Sequence, residues 1–369
     1  MCGLSDFQIC FYKARLAGRG SLSYGRNIEY IYESLNFIFE ILKRVIITGG
    51  NGFIGRHLVK RLAACKPIIV VLISNTAGMS TNFLNDTRLW EDLPLTFHTA
   101  DIRDRKEIAN IFRDVGADTC IHLAAKISVA ESIKNPQETM DINVNGTLNV
   151  LEACHSSGID SFVFASSAAV YGDVKKLPIS EDESLKPLSP YGKSKMLAEK
   201  HVLSYKRSRK IKNTICLRIF NVYGSGQISE ADVITKFAKR LSIGQPPVIK
   251  GDGKQTRDFI SVEDVADAII SSTTSMKDVE DESMALPTVF NVGTGTPTSI
   301  NELVQKMIEI FGLDLHPIYK ERKEAEKEIS ASFADITRAK KTLKFVAKKS
   351  IEMGLRELIE PILLRKNFH

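Results

Sequence analysis

Tyr191 and Lys195, in the stretch SPYGKSKMLAEK (189–200), stand one helical turn apart among helix-compatible residues, so both side chains share one helix face. An ammonium beside a phenol favours phenolate and lowers a tyrosine pKa from its ordinary value of about 10. That makes Tyr191 a candidate general base near neutral pH. The same spacing also occurs on ordinary surface helices with a partly buried tyrosine. What sets this pair apart is its company: a serine pair, Ser166 and Ser167, closing an apolar run upstream, and a glycine cluster near the start of the chain.

The cluster lies in RVIITGGNGFIGRHLVKRL. Val45 to Ile47 form a β-branched run of strand length, and Phe53, Ile54, Leu58, Val59 and Leu62 recur at helical spacing. The segment therefore reads as strand, tight turn, helix. Gly49, Gly52 and Gly55 recur at every third position, and Gly50 to Gly55 fits GxGxxG. Glycines here permit positive φ, close approach of backbone to a ligand, and tight packing of helix on strand. Free N–H groups at the helix start favour an anion such as a pyrophosphate. A tight β-α turn alone would use the same residues, but the strand and helix context points to a dinucleotide site.

These residues need a scaffold, and the rest of the chain supplies one. After the glycine turn, PIIVVLIS (67–74), LTFHTADIRD (95–104), a helix to about 114, DTCIHLAA (118–125), a helix to about 157 and SFVFASS (161–167) alternate. The alternation predicts an α/β fold, a doubly wound parallel sheet covered by helices on both faces. Ligands of such sheets bind at the carboxyl ends of the strands. Asp101 and Ile102 are expected to end the third strand, His122 to Ala125 the fourth, and Ser166 and Ser167 the fifth.

From about residue 220 the pattern loosens into YGSGQ, GQPPVIKGDGKQTRDF and NVGTGTPTS, loops of a kind that carry binding groups. We expect a Rossmann-type domain over 43–219, with 258–292 returning to it, and a smaller discontinuous α/β substrate-binding domain from 220–257 and 293–369. The mixed-charge KERKEAEKE (320–328) reads as a solvated helical face.

The chain of 369 residues is long enough for about two domains, and 43% hydrophobic with 25% charged residues is the balance of a soluble globule. Its net charge of +6 is spread along the sequence, which suits anionic ligands more than a nucleic-acid surface. The cysteines at 2, 10, 65, 120, 154 and 216 show neither CxxC pairs nor metal spacing. We read them as reduced and cytoplasmic, with no metal site. No apolar run reaches the roughly 18 to 20 residues of a membrane span. Residues 1–42 lack the strand and helix alternation of the later residues and lack a signal-peptide layout. They read as a flexible extension or as upstream sequence from a misassigned start, ahead of an added helix, and carry no assigned role.

TGGNGFIG, ADIRD, HLAA, NVNGT, SSAAVYG, YGKSK, RIFNVYG and TRDFISVEDVADA stand in the order and spacing of the extended short-chain dehydrogenase/reductases. From about residue 43 onward the chain most resembles their nucleotide-sugar 4-epimerases. The resemblance implies NAD as cofactor and a UDP-sugar as substrate. Gly49, Gly52, Phe53, Ile54 and Gly55 would cradle the cofactor pyrophosphate, Asp101 and Ile102 would hold the adenine, and Ala124 would line the same site. Tyr191 would be the base, Lys195 would bind the nicotinamide ribose and tune it, and Ser167 would bond the substrate's reacting oxygen. Asn221 would hold the sugar-nucleotide diphosphate, with Arg257 as its clamp. Helices near 137–157 and 190–207 would pair in a homodimer. The reaction implied is interconversion of UDP-glucose and UDP-galactose through a 4-keto sugar.

Some positions depart from the family pattern. Ala168 and Ala169 stand where dehydratases and decarboxylases of the family carry acids, and alanine moves no proton. The second strand ends Ile73-Ser74-Asn75-Thr76 without the acid that bonds an adenosine ribose, while Arg56 follows the glycine turn. NAD is preferred, with NADP possible. Near the C-terminus, Ala325 and Glu328 occupy the family's arginine and aspartate places, with Arg322 nearby. Ser332 stands where a tyrosine closes the hexose pocket of epimerases restricted to unacetylated sugars, so the N-acetylated pair is also an expected substrate. The rivals are a dehydrogenase, reductase or dehydratase, and a non-catalytic cofactor-binding protein.

Overall fold

The computed structural model of the protein describes residues 42–63, 68–73, 95–227, 232–277, 288–321 and 329–366. Residues 1–41, the strand end at Ser74 to Thr76, and Arg322, Ala325 and Glu328 lie outside the described residues.

Strand and helix alternate from the start: β1 (Arg44–Thr48), α1 (Phe53–Ala63), β2 (Ile68–Ile73), β3 (Leu95–Thr99), α2 (Arg105–Val115), β4 (Thr119–His122), α3 (Gly146–Ser156), β5 (Ser161–Ser167), α4 (Pro190–Arg207) and β6 (Asn213–Ile219). Together with a later strand, β11 (Val289–Val292), these strands form one sheet of 7 strands in the order β11-β6-β5-β4-β1-β2-β3. Its pairings are all parallel, with Val45 facing Ile69 on one side and Thr119 on the other. A sheet buried on both faces needs apolar residues at successive positions, and the strands supply them. Val45 and Ile47, Val163 and Ala165, and Ile215 and Leu217 pack on one face with Leu58, Val59 and Leu62 of α1. Ile46, Phe162, Phe164 and Cys216 pack on the other with Ile108 and Phe112 of α2 and Val150 and Leu151 of α3. Each such side chain, fully buried, contributes about 1.5–3 kcal/mol.

Beyond β6 the elements shorten: β7 (Asn221–Tyr223), β8 (Val248–Lys250), β9 (Thr256–Arg257), β10 (Phe259–Ser261), α5 (Val262–Lys277), β11 (Val289–Val292), β12 (Thr298–Ser299), α6 (Ile300–Phe311), β13 (Ile318–Lys320), β14 (Ala331–Ser332) and α7 (Ile351–Lys366). β7 pairs with β10, β8 with β13, and β9 sits between β12 and β14. Tyr223 of β7, Ile249 of β8 and Phe259 of β10 join a separate apolar cluster with Ile234, Phe237, Leu303, Met307, Leu355 and Ile359. Val265 and Ile269 of α5, and also Ala339, Leu343 and Phe345 from beyond β14, instead join the core of the large sheet. Among the described residues no helix is long and apolar enough to cross a membrane.

Two sequence expectations are corrected here. The third strand stops at Thr99, so Asp101 and Ile102 lie in the loop beyond it. The reason is local. Asp104 caps α2 by accepting from Lys106 N and Glu107 N, and its own N–H donates to Asp101 O at 2.9 Å, so ADIRD is a turn into a helix. The helix expected to run to about 157 is also not one α-helix. A short helix, Val129–Lys134, precedes Pro136–Met140, and a π turn over Asp141–Asn145 then leads into α3. Gly146 N donating to Asp141 O closes that wider turn.

Candidate active site

The glycine turn at the end of β1 has the geometry its spacing predicts. Gly49 has φ +69°, and a Cβ there would lie 2.7 Å from Ala124 N, so only glycine fits against the end of β4. Gly52 N donates to Gly49 O at 2.9 Å, and a Cβ on Gly55 would run into Gly49 O. Phe53 and Ile54 open α1, whose first N–H groups lie at this turn, and Phe53 meets the His57 ring edge-on at 5.7 Å. This cradle of backbone at a helix N-terminus fits a dinucleotide pyrophosphate.

Around the cradle the expected cofactor residues fall into two kinds. Ala124 donates its N–H to Thr48 Oγ1 at 3.3 Å and forms the opposing wall. Asp101 is half-buried and engaged, since Arg103 donates to its carboxylate through N, Nε and Nη2 and holds it below the usual carboxylate range. Ile102 is buried among α2 and α3, packed on Gly146. Arg56, considered as a seat for a 2′-phosphate, instead donates Nη2 to Gly226 O at 2.7 Å.

The chemistry-bearing side chains gather at the carboxyl end of β5, whose sheet neighbour β4 adjoins β1. Ser167 is the last residue of β5, and its Oγ accepts from Ala169 N at 3.2 Å. Tyr191 is the second residue of α4, a helix capped by Ser189 accepting from Gly192 N. Gly192 lets that helix start press on the turn after β5, because a Cβ there would lie 2.5 Å from Ala169 O. Tyr191 is thereby brought beside Ser167, whose hydroxyl acts to lower the pKa of the phenol. Lys195, one turn on, is buried, donates Nζ to Ala165 O at 2.7 Å and lies 4.9 Å from the centre of the Phe164 ring.

The expected electrostatics of this pair need correction. Burial pushes the Tyr191 phenol above its ordinary pKa, with the Ser167 hydrogen bond acting the other way. Burial also lowers Lys195 to about 7. Spacing alone suggests a tyrosine pulled down by a charged lysine. In the fold, desolvation favours the neutral form of both groups.

The expected substrate residues lie across from these, on the short strands. Asn221, first in β7, donates N and Nδ2 to Asp258 O at 3.0 and 3.1 Å. Arg257 of β9 donates Nη1 to Thr256 O and Ile329 O, both at 2.8 Å. Ser332 of β14 pairs in register with Arg257 and is 8% exposed.

Sequence reasoning missed the groups behind these residues. Thr48, His122, Thr147, Asn143 and Ser194 form a buried chain. His122 Nδ1 meets Thr48 Oγ1 at 2.6 Å and Nε2 meets Thr147 Oγ1 at 2.9 Å. Thr147 donates onward to Asn143 O, and Asn143 Nδ2 donates to Ser194 Oγ, which donates to Tyr191 O. Because the Thr147 proton is spent on Asn143, His122 must carry its own on Nε2 and accept from Thr48. Burial, then the charge of Lys195, drives His122 down to about 3, so it is neutral. Glu199 continues the Tyr191–Lys195 face by another turn and binds Arg218 and Ser166. Extending the helical spacing from Lys195 to Glu199 would have found it.

A family model described as the NAD dependent epimerase/dehydratase family matches residues 45–293. A Methanocaldococcus jannaschii protein that carries the provisional name UDP-glucose 4-epimerase is 37% identical over 319 residues, spanning 85% of this chain and 97% of its own. The solved UDP-glucose 4-epimerase of Thermotoga maritima, with UDP-glucose, aligns with a TM-score of 0.77 at 32% identity, covering 88% of this chain and 100% of that one. The UDP-N-acetylglucosamine 4-epimerase of Methanobrevibacter ruminantium M1, in complex with UDP-N-acetylmuramic acid, gives 0.77 at 31% identity, covering 88% and 99%. With a matched glycine cradle, parallel sheet and near-complete coverage of such relatives, the chain belongs to the NAD dependent epimerase/dehydratase family.

Proposed function

We propose that this protein is a UDP-hexose 4-epimerase, an isomerase that interconverts UDP-glucose and UDP-galactose and retains NAD through the cycle. The observation that carries this reading is the meeting of Ser167, Tyr191 and Lys195 at the end of β5, two strands along the sheet from the glycine cradle. Bound NAD supplies a hydride acceptor at C4 that can return the hydride to either face of the sugar. Tyr191 takes the proton of the C4 hydroxyl and gives it back, while Ser167 hydrogen-bonds the same oxygen. Burial opposes phenolate and the Ser167 hydroxyl acts against that; Lys195, one turn along the helix, would add to it when protonated. Gly49, Gly52 and Gly55 hold the pyrophosphate, with Phe53, Ile54, Asp101, Ile102 and Ala124 around the rest of the dinucleotide.

On the substrate side, Asn221 and Arg257 anchor the diphosphate, for which a guanidinium is well shaped, and leave the hexose free to turn. Ala168 and Ala169, in the turn after Ser167, offer no second acid or base, which favours returning the hydride over elimination. Ser332 is small where a large residue would narrow the hexose pocket, so the reading extends to the 2-acetamido pair. The reading also includes a homodimer through α3 and α4 and a cytoplasmic location, the latter resting on cysteine usage; Cys120, Cys154 and Cys216 are buried free thiols.

The test is to purify the protein without added cofactor and incubate it separately with UDP-glucose and UDP-N-acetylglucosamine, following anomeric protons by NMR. Formation of the galacto sugar with no NAD added is the expected result. Turnover that begins only when NAD is supplied and stoichiometrically reduced would mean a dehydrogenase. A UDP-N-acetylglucosamine sample that stays unchanged removes the Ser332 extension alone.

A further inference from the structure

Asn221, Arg257 and Ser332 come from three separate strands, yet all three converge on one residue, Asp258. Its N–H donates to Ser332 O at 2.9 Å. Its carbonyl accepts from both Asn221 N and Asn221 Nδ2. Arg257 is its chain neighbour. The side chain is fully buried and gathers three further main-chain positions of the fold. Oδ1 accepts from Thr294 N at 2.8 Å and Thr294 Oγ1 at 2.7 Å, and Oδ2 accepts from Gly295 N at 2.9 Å and Ala334 N at 3.1 Å. Gly293 has no room for a side chain, because a Cβ there would lie 2.5 Å from Oδ2.

We infer that Asp258 is a positioning residue for the sugar-nucleotide site: its main chain bonds Asn221 and Ser332, and the four neutral donors on its carboxylate pin that main chain, with its neighbour Arg257, in one arrangement. The inference rests on the substrate-side reading given above. The choice of side chain follows from acceptor count. An ionised aspartate offers about four acceptor sites and no donor, matching four converging N–H and O–H groups. Asparagine is the same size but turns one oxygen into an NH2 group that faces N–H donors. A buried donor left without an acceptor is costly, so the turn at 293–295 or the strand at 331–334 must shift. Either shift reaches Arg257 or Ser332 through the pairings of β9 with β12 and β14. The glycine cradle, at the end of β1, lies four strands along the sheet from β11, the strand that leads into this turn.

The test uses Asp258→Asn together with Thr294→Val and Thr294→Ser, which remove and keep a single hydroxyl donor. Each is measured for retained NAD, for kcat and KM with UDP-glucose, and for UDP affinity by calorimetry. Uniform loss of binding raises KM and leaves kcat, so D258N is expected to raise KM about tenfold with kcat within about threefold and NAD content unchanged. T294V should move KM the same way by about two- to threefold, and T294S should restore it. An unchanged KM in soluble D258N or in T294V, with only the melting temperature lowered, overturns the proposal in favour of a purely structural pin. If D258N does not fold, the Thr294 pair decides by the same criterion. Wild-type protein that binds no UDP would overturn the substrate reading itself, an outcome distinct from wild type and D258N binding UDP alike.

Discussion

Glu199, on the helix that carries Tyr191 and Lys195, and Asp258, among the short strands, are both buried carboxylates, but their partners differ in kind. Glu199 faces a cation. Arg218 donates Nη2 to Oε1 at 2.6 Å and Nε to Oε2 at 3.2 Å, Ser166 Oγ adds a third bond, and the two charged side chains are 5% and 1% exposed. Arg218 then donates to Tyr171 and the Glu181 carbonyl, and Tyr171 donates to Asn291 on β11. Asp258 faces only neutral N–H and O–H groups. The difference follows from what each region must hold. Near β5 and β6 the strands are seven residues long and set by a packed sheet, so an ion pair there fixes side-chain register more than backbone. β9, β12 and β14 have two residues each, too few to hold themselves, and a carboxylate that collects main-chain N–H groups takes the place of a longer ladder. The residues proposed for chemistry thus stand on the long-strand, rigid half, and those proposed for substrate on short strands gathered around one buried carboxylate.

Substitutions at the two places can break that contrast or sharpen it. Tyr191→Phe should cut kcat by about 10²–10⁴-fold, because it removes the proton acceptor alone. UDP affinity should hold, and a parallel loss of UDP binding would mean that the halves are not separable. Glu199→Gln should cost about 3–5 kcal/mol in denaturant titration, since it strands the Arg218 charge in the core. Asp258→Asn strands no charge and should cost about 1–3 kcal/mol. Equal losses from the two would erase the distinction.

Proton linkage gives smaller, signed effects on the rigid half. Folding lowers Lys195 to about 7, below its unfolded value, so the unfolded chain binds more protons above pH 7. Wild-type stability should therefore rise from pH 7 to about pH 9 relative to Lys195→Met, in which that contribution is missing. His122, at about 3 when folded, works in the acid range. Stability should fall as pH drops from 6.5 towards 3, and His122→Gln should flatten that limb in pH-dependent thermal melts. The smallest effect belongs to Arg56→Ala, about 0.5 kcal/mol or less, with no change in preference between NAD and NADP. A gain or loss of NADP use would show that Arg56 leaves Gly226 for a phosphate.

The rigid half was far more legible than the other. β1, β4 and β5 were visible as apolar runs because a strand buried on both faces carries apolar residues at successive positions, and the glycine turn was visible because backbone crowding admits one residue type. Asp101 was misplaced because apolar residues, Ala100 and Ile102, continue past the true strand end, where capping by Asp104 outweighs β propensity. The Tyr191 shift was misjudged because spacing reveals neighbours but not desolvation. TRDF was recognised for its arginine, but Thr294, Gly295 and Ala334 lie 36 to 76 residues beyond Asp258, and no local pattern announces contacts at that range.

The π turn at Asp141–Asn145 has a consequence for how this chain tolerates changes in length. It works as a one-residue insertion that puts the two flanking helical segments out of phase. Upstream of it the chain faces the 126–134 segment, and downstream Val150, Leu151 and Cys154 face the sheet. Asn143, inside it, accepts from Lys126 N and donates to Lys126 O and Ser194 Oγ. Removing a single residue from this turn would restore an unbroken α-helix yet rotate one segment against the other by about 100°, one residue's share of a turn. Either the sheet would lose its cover or Asn143 would lose both Lys126 and Ser194. For the helix before α3, the number of residues is as much a constraint as their identity.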